Sequence, residues 1–366
     1  MMSAKSLYIH IPFCKSICGY CDFCKLLYAK TFVKPYLEEL RKEIVQKADH
    51  PFETIYIGGG TPTCLAEEEL SLLLSFSSNL LAPNGEFTIE ANPETITETK
   101  LDILVKAGVN RLSIGLESSC DRLLHLMDRS HTFSDVENAV KLAKSKGIHN
   151  ISVDIIYGLP NQSMEELDAD IDACLSLDVP HLSAYSLTVG RGTKFFQKGY
   201  QEADDEIQAK MYERILLRFR EAGYERYEVS NFAKPGFKSR HNLTYWHDEE
   251  YVACGLGASG YEGNIRYRNT KNLSEYLKEN HVEEKEEVGK QDDLSYFFLT
   301  NLRLSDGFAL QSFQDRFGYS FFDAYPKEFA ELKEKGLLFE EDNRIKPTDS
   351  GILLLDRILL SLFRDE

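Results

Sequence analysis

The sequence predicts an α/β protein with a sheet of parallel strands and a smaller, mostly helical C-terminal domain. In the first 200 residues, six short runs rich in β-branched or aromatic residues alternate with stretches of helical period. Strands that alternate with helices of this length predict βαβ units and a parallel sheet. The pattern fits an open sheet as well as part of a barrel.

Each predicted strand is a short apolar run, and the segments between them place apolar residues at helical spacing, as in VKPYLEELRKEIVQKA and SDVENAVKLAKSKG. The predicted strands are SLYIHI (6–11), TIYIGG (54–59), FTIEAN (87–92), RLSIGLE (111–117), ISVDIIY (151–157) and HLSAYSL (181–187).

The alternation of predicted strands and helices ends at about residue 200. An amphipathic helix near 203–222 precedes a region rich in aromatic and turn residues, which predicts short strands and loops. The pattern is mostly helical from about residue 290, and 326–362 is typical of a helix, a two-stranded wing and a second helix. We therefore predict a parallel-strand domain over 1–200, an α+β extension over 201–285 and a winged-helix-like domain over 286–366.

Composition excludes several classes of protein. The net charge of -17 and the lack of Lys/Arg runs make nucleic acid an unexpected partner. The N-terminal stretch is interrupted by His10 and Pro12, which argues against a signal peptide. No run approaches the roughly 18 apolar residues of a membrane helix. We expect a cytoplasmic protein, with peripheral contact to a membrane surface left open.

Four of the eight cysteines fall within eleven positions: Cys14, Cys18, Cys21 and Cys24. The first three form C-x3-C-x2-C, and three thiolates at this spacing can hold three corners of an iron–sulfur cubane. One alternative is a zinc site with Cys24 as the fourth ligand. Another is a disulfide, which is rare in a reducing compartment. Plain burial explains one or two of these thiols but not three.

The segment YIHIPFCKSICGYCDF resembles the signature of the radical S-adenosylmethionine (SAM) superfamily. More narrowly, it resembles the branch that contains oxygen-independent coproporphyrinogen III oxidase and its heme-chaperone relatives. Further segments similar to this branch are GGGTPT (58–63), GVNRLSIGLES (108–118), VDIIYGLPNQS (153–163), HLSAYSLT (181–188) and RHNLTYW (240–246).

The resemblance implies a partial (β/α)6 TIM-like barrel that holds a [4Fe-4S] cluster. Cys14, Cys18 and Cys21 would be its ligands, and SAM would chelate the open iron. An electron from the cluster would cleave SAM to methionine and a 5′-deoxyadenosyl radical. The protein would position these groups and keep water away.

The resemblance also implies a SAM site at and beyond the strand ends. Gly59, Gly60 and Thr61 match the motif that contacts the SAM amino group, and Glu90 and Asp154 match residues near the ribose. A helix cap or an ion pair is the alternative for each carboxylate. The other residues implied for this site are Arg129, which would contact the SAM carboxylate, Tyr8, Tyr20 and Glu117.

Two positions depart from the branch pattern. Glu117 stands where relatives usually carry Gln, which adds negative charge near SAM. Residues 189–193 are VGRGT where relatives often have IEPGT, so Gly190 replaces the usual acid and Arg191 is added. The Glu117 departure puts the affinity for SAM in question. The departure at 189–193 puts the binding of a substrate near this segment in question.

Two features bear on the choice between oxidase and chaperone. The oxidase normally has a further cysteine two residues after the third, where this chain has Phe23, with Cys24 one residue later. The segment HNLTYW matches the H-N-x-x-Y-W motif associated with heme in the chaperone group. His241 would be an axial iron ligand, and Tyr245 and Trp246 would offer flat faces to the porphyrin. The alternative is that His241 and Trp246 are ordinary buried residues.

The sequence thus predicts a radical-SAM protein that binds heme and delivers it to acceptor hemoproteins. The alternative is an enzyme of porphyrin biosynthesis that decarboxylates coproporphyrinogen III to protoporphyrinogen IX. A third candidate is an unrelated radical-SAM modification.

Overall fold

The computed structural model describes residues 4–48 and 50–363. The first three residues of the N-terminal stretch and the last three of the predicted C-terminal domain therefore lie outside the described residues. The strands are β1 (Ser6–Ile11), β2 (Phe13–Cys14), β3 (Leu26–Leu27), β4 (Phe52–Gly59), β5 (Leu81–Ala91), β6 (Arg111–Glu117), β7 (Asn150–Tyr157), β8 (His181–Ser186), β9 (Glu225–Arg226), β10 (Asn231–Ala233), β11 (Tyr251–Cys254), β12 (Ser259–Glu262), β13 (Ile265–Asn269), β14 (Val282–Glu287), β15 (Phe308–Ala309), β16 (Leu338–Glu341) and β17 (Arg344–Pro347).

The helices are α1 (Lys30–Lys47), α2 (Glu67–Ser77), α3 (Glu98–Lys106), α4 (Asp121–Leu126), α5 (Phe133–Ser145), α6 (Met164–Ser176), α7 (Lys194–Gln197), α8 (Asp205–Glu221), α9 (Arg240–Trp246), α10 (Leu273–Tyr276), α11 (Lys290–Asn301), α12 (Leu310–Phe317), α13 (Phe321–Ala324), α14 (Pro326–Glu334), α15 (Asp349–Leu353) and α16 (Leu355–Leu362). Within the described ranges, none combines the length and apolar character needed to span a bilayer.

One large sheet organises the molecule, in the order β14-β13-β12-β11-β1-β4-β5-β6-β7-β8-β10-β9. Strands β1 and β4 to β8 are parallel neighbours, joined by helical crossovers. These are the six strands predicted from the sequence, so the predicted α/β class is confirmed. The sheet has β14 and β9 at its edges, as expected for a barrel that is only partly closed.

The segment after residue 200 extends this sheet at both edges. Strands β9 and β10 continue it antiparallel to β8, while β11 pairs in parallel with β1 and leads into the meander β12 to β14. The expectation of only short strands and loops around HNLTYW is wrong, because this segment forms helix α9. The Ser239 hydroxyl accepts the backbone N–H of Asn242 at 3.3 Å, a helix N-cap that the aromatic pattern concealed.

The C-terminal helices α11 to α14 and α16 surround a hydrophobic cluster separate from the main core. Its small sheet, in the order β15-β17-β16, carries the hairpin predicted as a wing. The boundaries at 200 and 285 stay predictions.

Side-chain alternation divides the parallel strands into two faces. On β4, Ile55 and Ile57 join the hydrophobic core, whereas Thr54 and Tyr56 point into the barrel. The inward positions of the neighbouring strands are also polar. The buried polar side chains at these positions include Ser6, His10, Glu86, Thr88, Arg111, Ser113, Ser152, His181 and Ser183.

Helix α9 closes the barrel at the end where the parallel strands begin. The Thr244 hydroxyl lies 2.8 Å from that of Ser6, near the start of β1. The two carboxylate oxygens of Glu86 each accept a backbone N–H of the first helical turn, from Arg240 and His241, both at 3.1 Å. A carboxylate at a helix N-terminus satisfies donors that lack a partner within the helix and complements the helix dipole.

Replacing Glu86 with Gln should destabilise the protein by about 1–3 kcal/mol, because one of the two backbone donors loses its acceptor in a buried setting. Urea unfolding would measure the loss. Glu53→Gln is the matched control, since Glu53 forms an exposed 3.5 Å pair with Arg240 and should contribute about 1 kcal/mol or less. Equal losses in the two variants would contradict this account of how α9 is held.

Candidate functional site

A cavity of about 340 Å³ opens at the end of the barrel opposite α9, where the parallel strands finish. Its wall brings together segments that are far apart in sequence. Among the residues that line it are Cys14, Cys18, Tyr20, Cys21, Tyr56, Gly59, Gly60, Thr61, Glu90, Asn92, Ser113, Glu117, Arg129 and Asp154.

The three cysteines are presented by the loop that follows β1. Cys14 lies on β2, which pairs with β3, and the intervening loop carries Cys18 and Cys21. The guanidinium Nη1 of Arg129 lies 3.6 Å from the Cys18 Sγ, and the Thr61 hydroxyl lies 3.8 Å from the Cys14 Sγ. Burial raises the pKa of the Cys21 thiol to about 11 and also raises that of Cys14. Binding a metal centre would therefore release protons.

The glycine-rich turn after β4 packs tightly on this loop. Gly59 has φ of +112°, and a Cβ atom there would lie 2.3 Å from the His10 ring. A Cβ atom on Gly60 would lie 2.7 Å from the carbonyl oxygen of Phe13. The backbone N–H of Thr61 donates to that same oxygen at 2.8 Å. Packing alone therefore requires glycine at both positions, whether or not the backbone of this turn also contacts a ligand.

Glu90 and Asp154 line the cavity from β5 and β7, which β6 separates in the sheet. Glu90 accepts hydrogen bonds from the Tyr56 hydroxyl at 2.8 Å and the Gly59 N–H at 2.9 Å. Burial raises the pKa of Glu90 to about 7. Asp154 accepts from the hydroxyls of Ser113 at 2.7 Å and Ser152 at 3.0 Å.

Asp154 does not lie at a strand end as the sequence predicted. It occupies the middle of β7, because pairing between β7 and β8 continues to Tyr157 and Ser186. It still lines the cavity, since its side chain points into the barrel.

Arg129 is one of two cationic residues that the structure describes in the cavity wall, the other being Lys25. Its guanidinium lies 3.7 Å from the Glu117 carboxylate and donates to Asn92 Oδ1 at 3.2 Å and to the Gly115 carbonyl at 3.0 Å. Glu117 has φ of +62° at a register shift between β6 and β7, which redirects its side chain. Burial raises the pKa of Glu117, and the charge of Arg129 opposes that rise.

Comparison with known proteins matches this architecture to one family. Residues 8–174 match the Radical SAM superfamily, and residues 288–354 match the HemN C-terminal domain. The heme chaperone HemW of Bacillus subtilis is 39% identical over 96% of this chain and 97% of its own length. The heme chaperone HemW of Lactococcus lactis is 36% identical over 100% of this chain and 99% of its own length. The heme chaperone HemW of Escherichia coli is 33% identical over 99% of this chain and 98% of its own length. The chain belongs to the HemW family of radical SAM proteins.

A solved structure with lower sequence identity to this chain supports the assignment of the fold. Coproporphyrinogen III oxidase (HemN) from Escherichia coli matches with a TM-score of 0.85 over 98% of this chain and 89% of its own, at 22% sequence identity. This similarity confirms the architecture of the HemW-family chain, with its parallel barrel strands and smaller C-terminal domain.

The superfamily implies a [4Fe-4S] cluster and SAM, and the donor set of the cavity fits both. Three free thiols border one cavity, and in a [4Fe-4S] cluster each thiolate binds its own iron. Among the described residues, no three His, Cys, Asp or Glu side chains converge on one metal-ion position. Cys24 is outside the cavity lining and packs against Gly257, whose Cβ position lies 3.0 Å from its Sγ.

Four of the predicted site residues lie outside the cavity of this HemW-family chain. Tyr8 is one layer deeper in the barrel, with its hydroxyl 2.9 Å from His10 Nδ1. His241, Tyr245 and Trp246 lie on α9 at the opposite end. The structure therefore separates the cysteine motif from the HNLTYW motif.

His241 is buried, and both of its ring nitrogens have partners. Nδ1 lies 2.7 Å from the Thr54 hydroxyl and Nε2 lies 2.7 Å from the Tyr245 hydroxyl. The ring stacks on Tyr56 at 5.2 Å, and burial lowers the pKa of His241 to about 3. Trp246 is partly buried, and its ring lies 5.4 Å from the guanidinium of Arg303.

The cavity lining also includes residues that the sequence motifs did not indicate, among them Lys25, Tyr56, Asn92, Ser113 and Tyr185. Tyr56, Asn92 and Ser113 follow from the alternation of side chains along the predicted strands, which places every second residue on the same face. Tyr56 lies two residues before Gly58, and Asn92 lies two residues after Glu90. The unexpected Arg191 lies on an exposed turn, outside the cavity lining.

Gly59→Ala should cost more stability than Gly147→Ala in urea unfolding. Both positions have positive φ, +112° and +89°, so both substitutions incur the left-handed penalty of about 1–2 kcal/mol. Only Gly59 would also force a methyl group into the His10 ring, since nothing lies within 4 Å of the Cβ position of Gly147. The clash should add about 1–3 kcal/mol. A smaller loss at Gly59 than at Gly147 would contradict the packing argument.

Proposed function

We propose that this protein binds heme and delivers it to acceptor hemoproteins. The observation that carries the proposal is its similarity, over nearly its whole length, to proteins named heme chaperone HemW in several bacteria. Phe23 occupies the position at which the oxidase has a further cysteine, and Cys24 lies outside the cavity lining. Both observations also favour the chaperone over the oxidase.

The cavity residues would hold the cluster and SAM. Cys14, Cys18 and Cys21 would bind the cluster, and together the two groups supply one-electron chemistry when bound. Arg129 offers a planar, permanently charged donor for the SAM carboxylate. The remaining residues proposed to contact SAM are Tyr20, Gly59, Gly60, Thr61, Glu90, Glu117 and Asp154, with Tyr8 supporting them from the next layer.

For heme, the proposed ligand atom is Nε2 of His241. The Thr54 hydroxyl donates to Ser6 Oγ at 2.9 Å, so it accepts from Nδ1–H of His241. His241 is therefore the neutral Nδ1–H tautomer, and its Nε2 lone pair accepts the Tyr245 O–H. Iron binding at this atom requires Tyr245 to turn away, after which Tyr245 and Trp246 would contact the porphyrin.

The cellular setting is part of the proposal. All eight cysteines are free, which is typical of a reducing compartment such as the cytoplasm. The acidic net charge of -17 argues against nucleic acid as a partner. The acceptors would be hemoproteins.

A second candidate is oxidative decarboxylation of coproporphyrinogen III. It is favoured by the similarity of fold to the solved HemN oxidase over almost the whole chain. Anaerobic incubation with SAM, a reductant and coproporphyrinogen III separates the two candidates. We expect no protoporphyrin after oxidation of the products, whatever the yield of 5′-deoxyadenosine. Protoporphyrin formed over many turnovers would establish the oxidase instead.

Cys18→Ala should abolish the visible absorbance of the cluster after anaerobic reconstitution, because the cluster would lose one of three protein ligands. Iron and sulfide analysis would measure the same loss. Cys24→Ala is the matched control and should retain the cluster, since its thiol faces Gly257. Full cluster content in Cys18→Ala would overturn the ligand assignment.

His241→Ala should weaken heme binding at least tenfold, whereas Tyr245→Phe should strengthen it severalfold. The Phe variant loses the hydroxyl that occupies Nε2, a hydrogen bond of about 0.5–1.5 kcal/mol that iron must otherwise displace. Spectral titration with heme, with SAM binding measured in parallel, checks both. Unchanged heme affinity in His241→Ala would remove α9 from the proposed heme site.

A further inference from the structure

A chain of hydrogen bonds crosses the barrel from the start of α9 to Asp154 in the cavity. The backbone N–H of Ser239 donates to the Tyr227 hydroxyl oxygen at 3.2 Å, and this hydroxyl lies 2.9 Å from Nε2 of His181. Nδ1 of His181 lies 2.8 Å from the Ser152 hydroxyl, which donates to Asp154 Oδ1 at 3.0 Å. These five residues link the two ends of the barrel.

The direction of every hydrogen bond in the chain is determined by its ends. Asp154 as a carboxylate only accepts, so Ser152 uses its single proton on Asp154 and must accept from His181 Nδ1–H. Nε2 of His181 is then unprotonated and accepts the Tyr227 O–H. The Tyr227 oxygen accepts the Ser239 N–H. One neutral tautomer of His181 satisfies all members at once.

Burial makes this arrangement rigid. His181, Ser152 and Tyr227 are all buried in the barrel interior. Burial, followed by the nearby charge of Arg111, holds the pKa of His181 well below its usual range, which agrees with the neutral form. Ser183 adds one more contact, with its hydroxyl 3.2 Å from that of Ser152. A member that rotated out of line would leave a buried polar group unpaired.

The chain also determines what Asp154 can offer to a ligand. Its two oxygens accept from Ser152 and Ser113, one hydroxyl each. A carboxylate has about four acceptor positions in total. Both oxygens therefore keep acceptor capacity toward the cavity, in an orientation that two buried donors maintain.

We propose that His181 is a positioning residue for SAM, held in its Nδ1–H tautomer by Tyr227 and orienting the Asp154 carboxylate through Ser152. The inference rests on the proposed function, in which the Asp154 carboxylate contacts SAM. The first turn of α9 anchors the chain through Ser239, so the base of the barrel contributes to the binding of SAM at its mouth.

Tyr227→Phe tests the proposal in the full-length, cluster-reconstituted protein. The variant keeps the ring but removes the donor to His181, and SAM affinity measured by calorimetry should fall about threefold to tenfold, the effect of one hydrogen bond. Tyr224→Phe is the matched control, since the Tyr224 hydroxyl donates to the backbone carbonyl of Val179 instead. Its SAM affinity should stay within about twofold of the wild type.

A spectroscopic readout separates positioning from a general structural effect. In ¹⁵N-histidine-labelled wild-type protein, His181 should show a protonated Nδ1 and a bare Nε2, and the Nε2 resonance should shift in Tyr227→Phe but not in Tyr224→Phe. Equal SAM affinities in the two variants, or a protonated Nε2 at His181, would overturn the positioning role alone. No SAM binding by the wild-type protein would overturn it together with the SAM site, while the heme proposal is judged by the His241 and Tyr245 variants.

Discussion

The constraint on which this structure depends is the two-residue alternation of its six parallel strands. One set of side chains joins the hydrophobic core under the helices, and the other points into the barrel. Because the inward set is polar and buried, its members must satisfy one another or a ligand. This requirement explains three features of the barrel. A cavity lies at one end, helix α9 closes the other end, and a chain of hydrogen bonds connects the two.

The cavity is built by packing as much as by chemistry. The glycine turn after β4 fits against His10 and the backbone at Phe13, and this contact holds the cysteine loop over the strand ends. Around it, the described part of the cavity lining carries four carboxylates and two cations; these are Asp22, Glu90, Glu117, Asp154, Lys25 and Arg129. This excess of carboxylates suits a ligand such as SAM, which brings positive charge and hydroxyl donors.

The separation of the two motifs bears on how heme and SAM would share one protein. The cysteines lie where the strands end, and HNLTYW lies on the helix that closes the opposite end. Heme held by His241 would therefore sit at the base of the barrel, away from the cluster. The Tyr245 hydroxyl occupies Nε2 of His241 and the ring stacks on Tyr56, so heme would have to displace Tyr245 to reach this nitrogen.

The sequence by itself determined the six strands, the cysteine loop and the family, because these are encoded in local composition, period and spacing. The resemblance of its motifs to the radical SAM superfamily also predicted eleven of the residues that line the cavity, at the edge where the ends of parallel strands meet. Only the tertiary structure decided that Asp154 lies in mid-strand, that HNLTYW is a helix, and that both nitrogens of His241 are occupied. These facts depend on strand register and on partners such as Thr54, 187 residues away along the chain from His241. No local pattern encodes such contacts, because they form only when distant segments pack together.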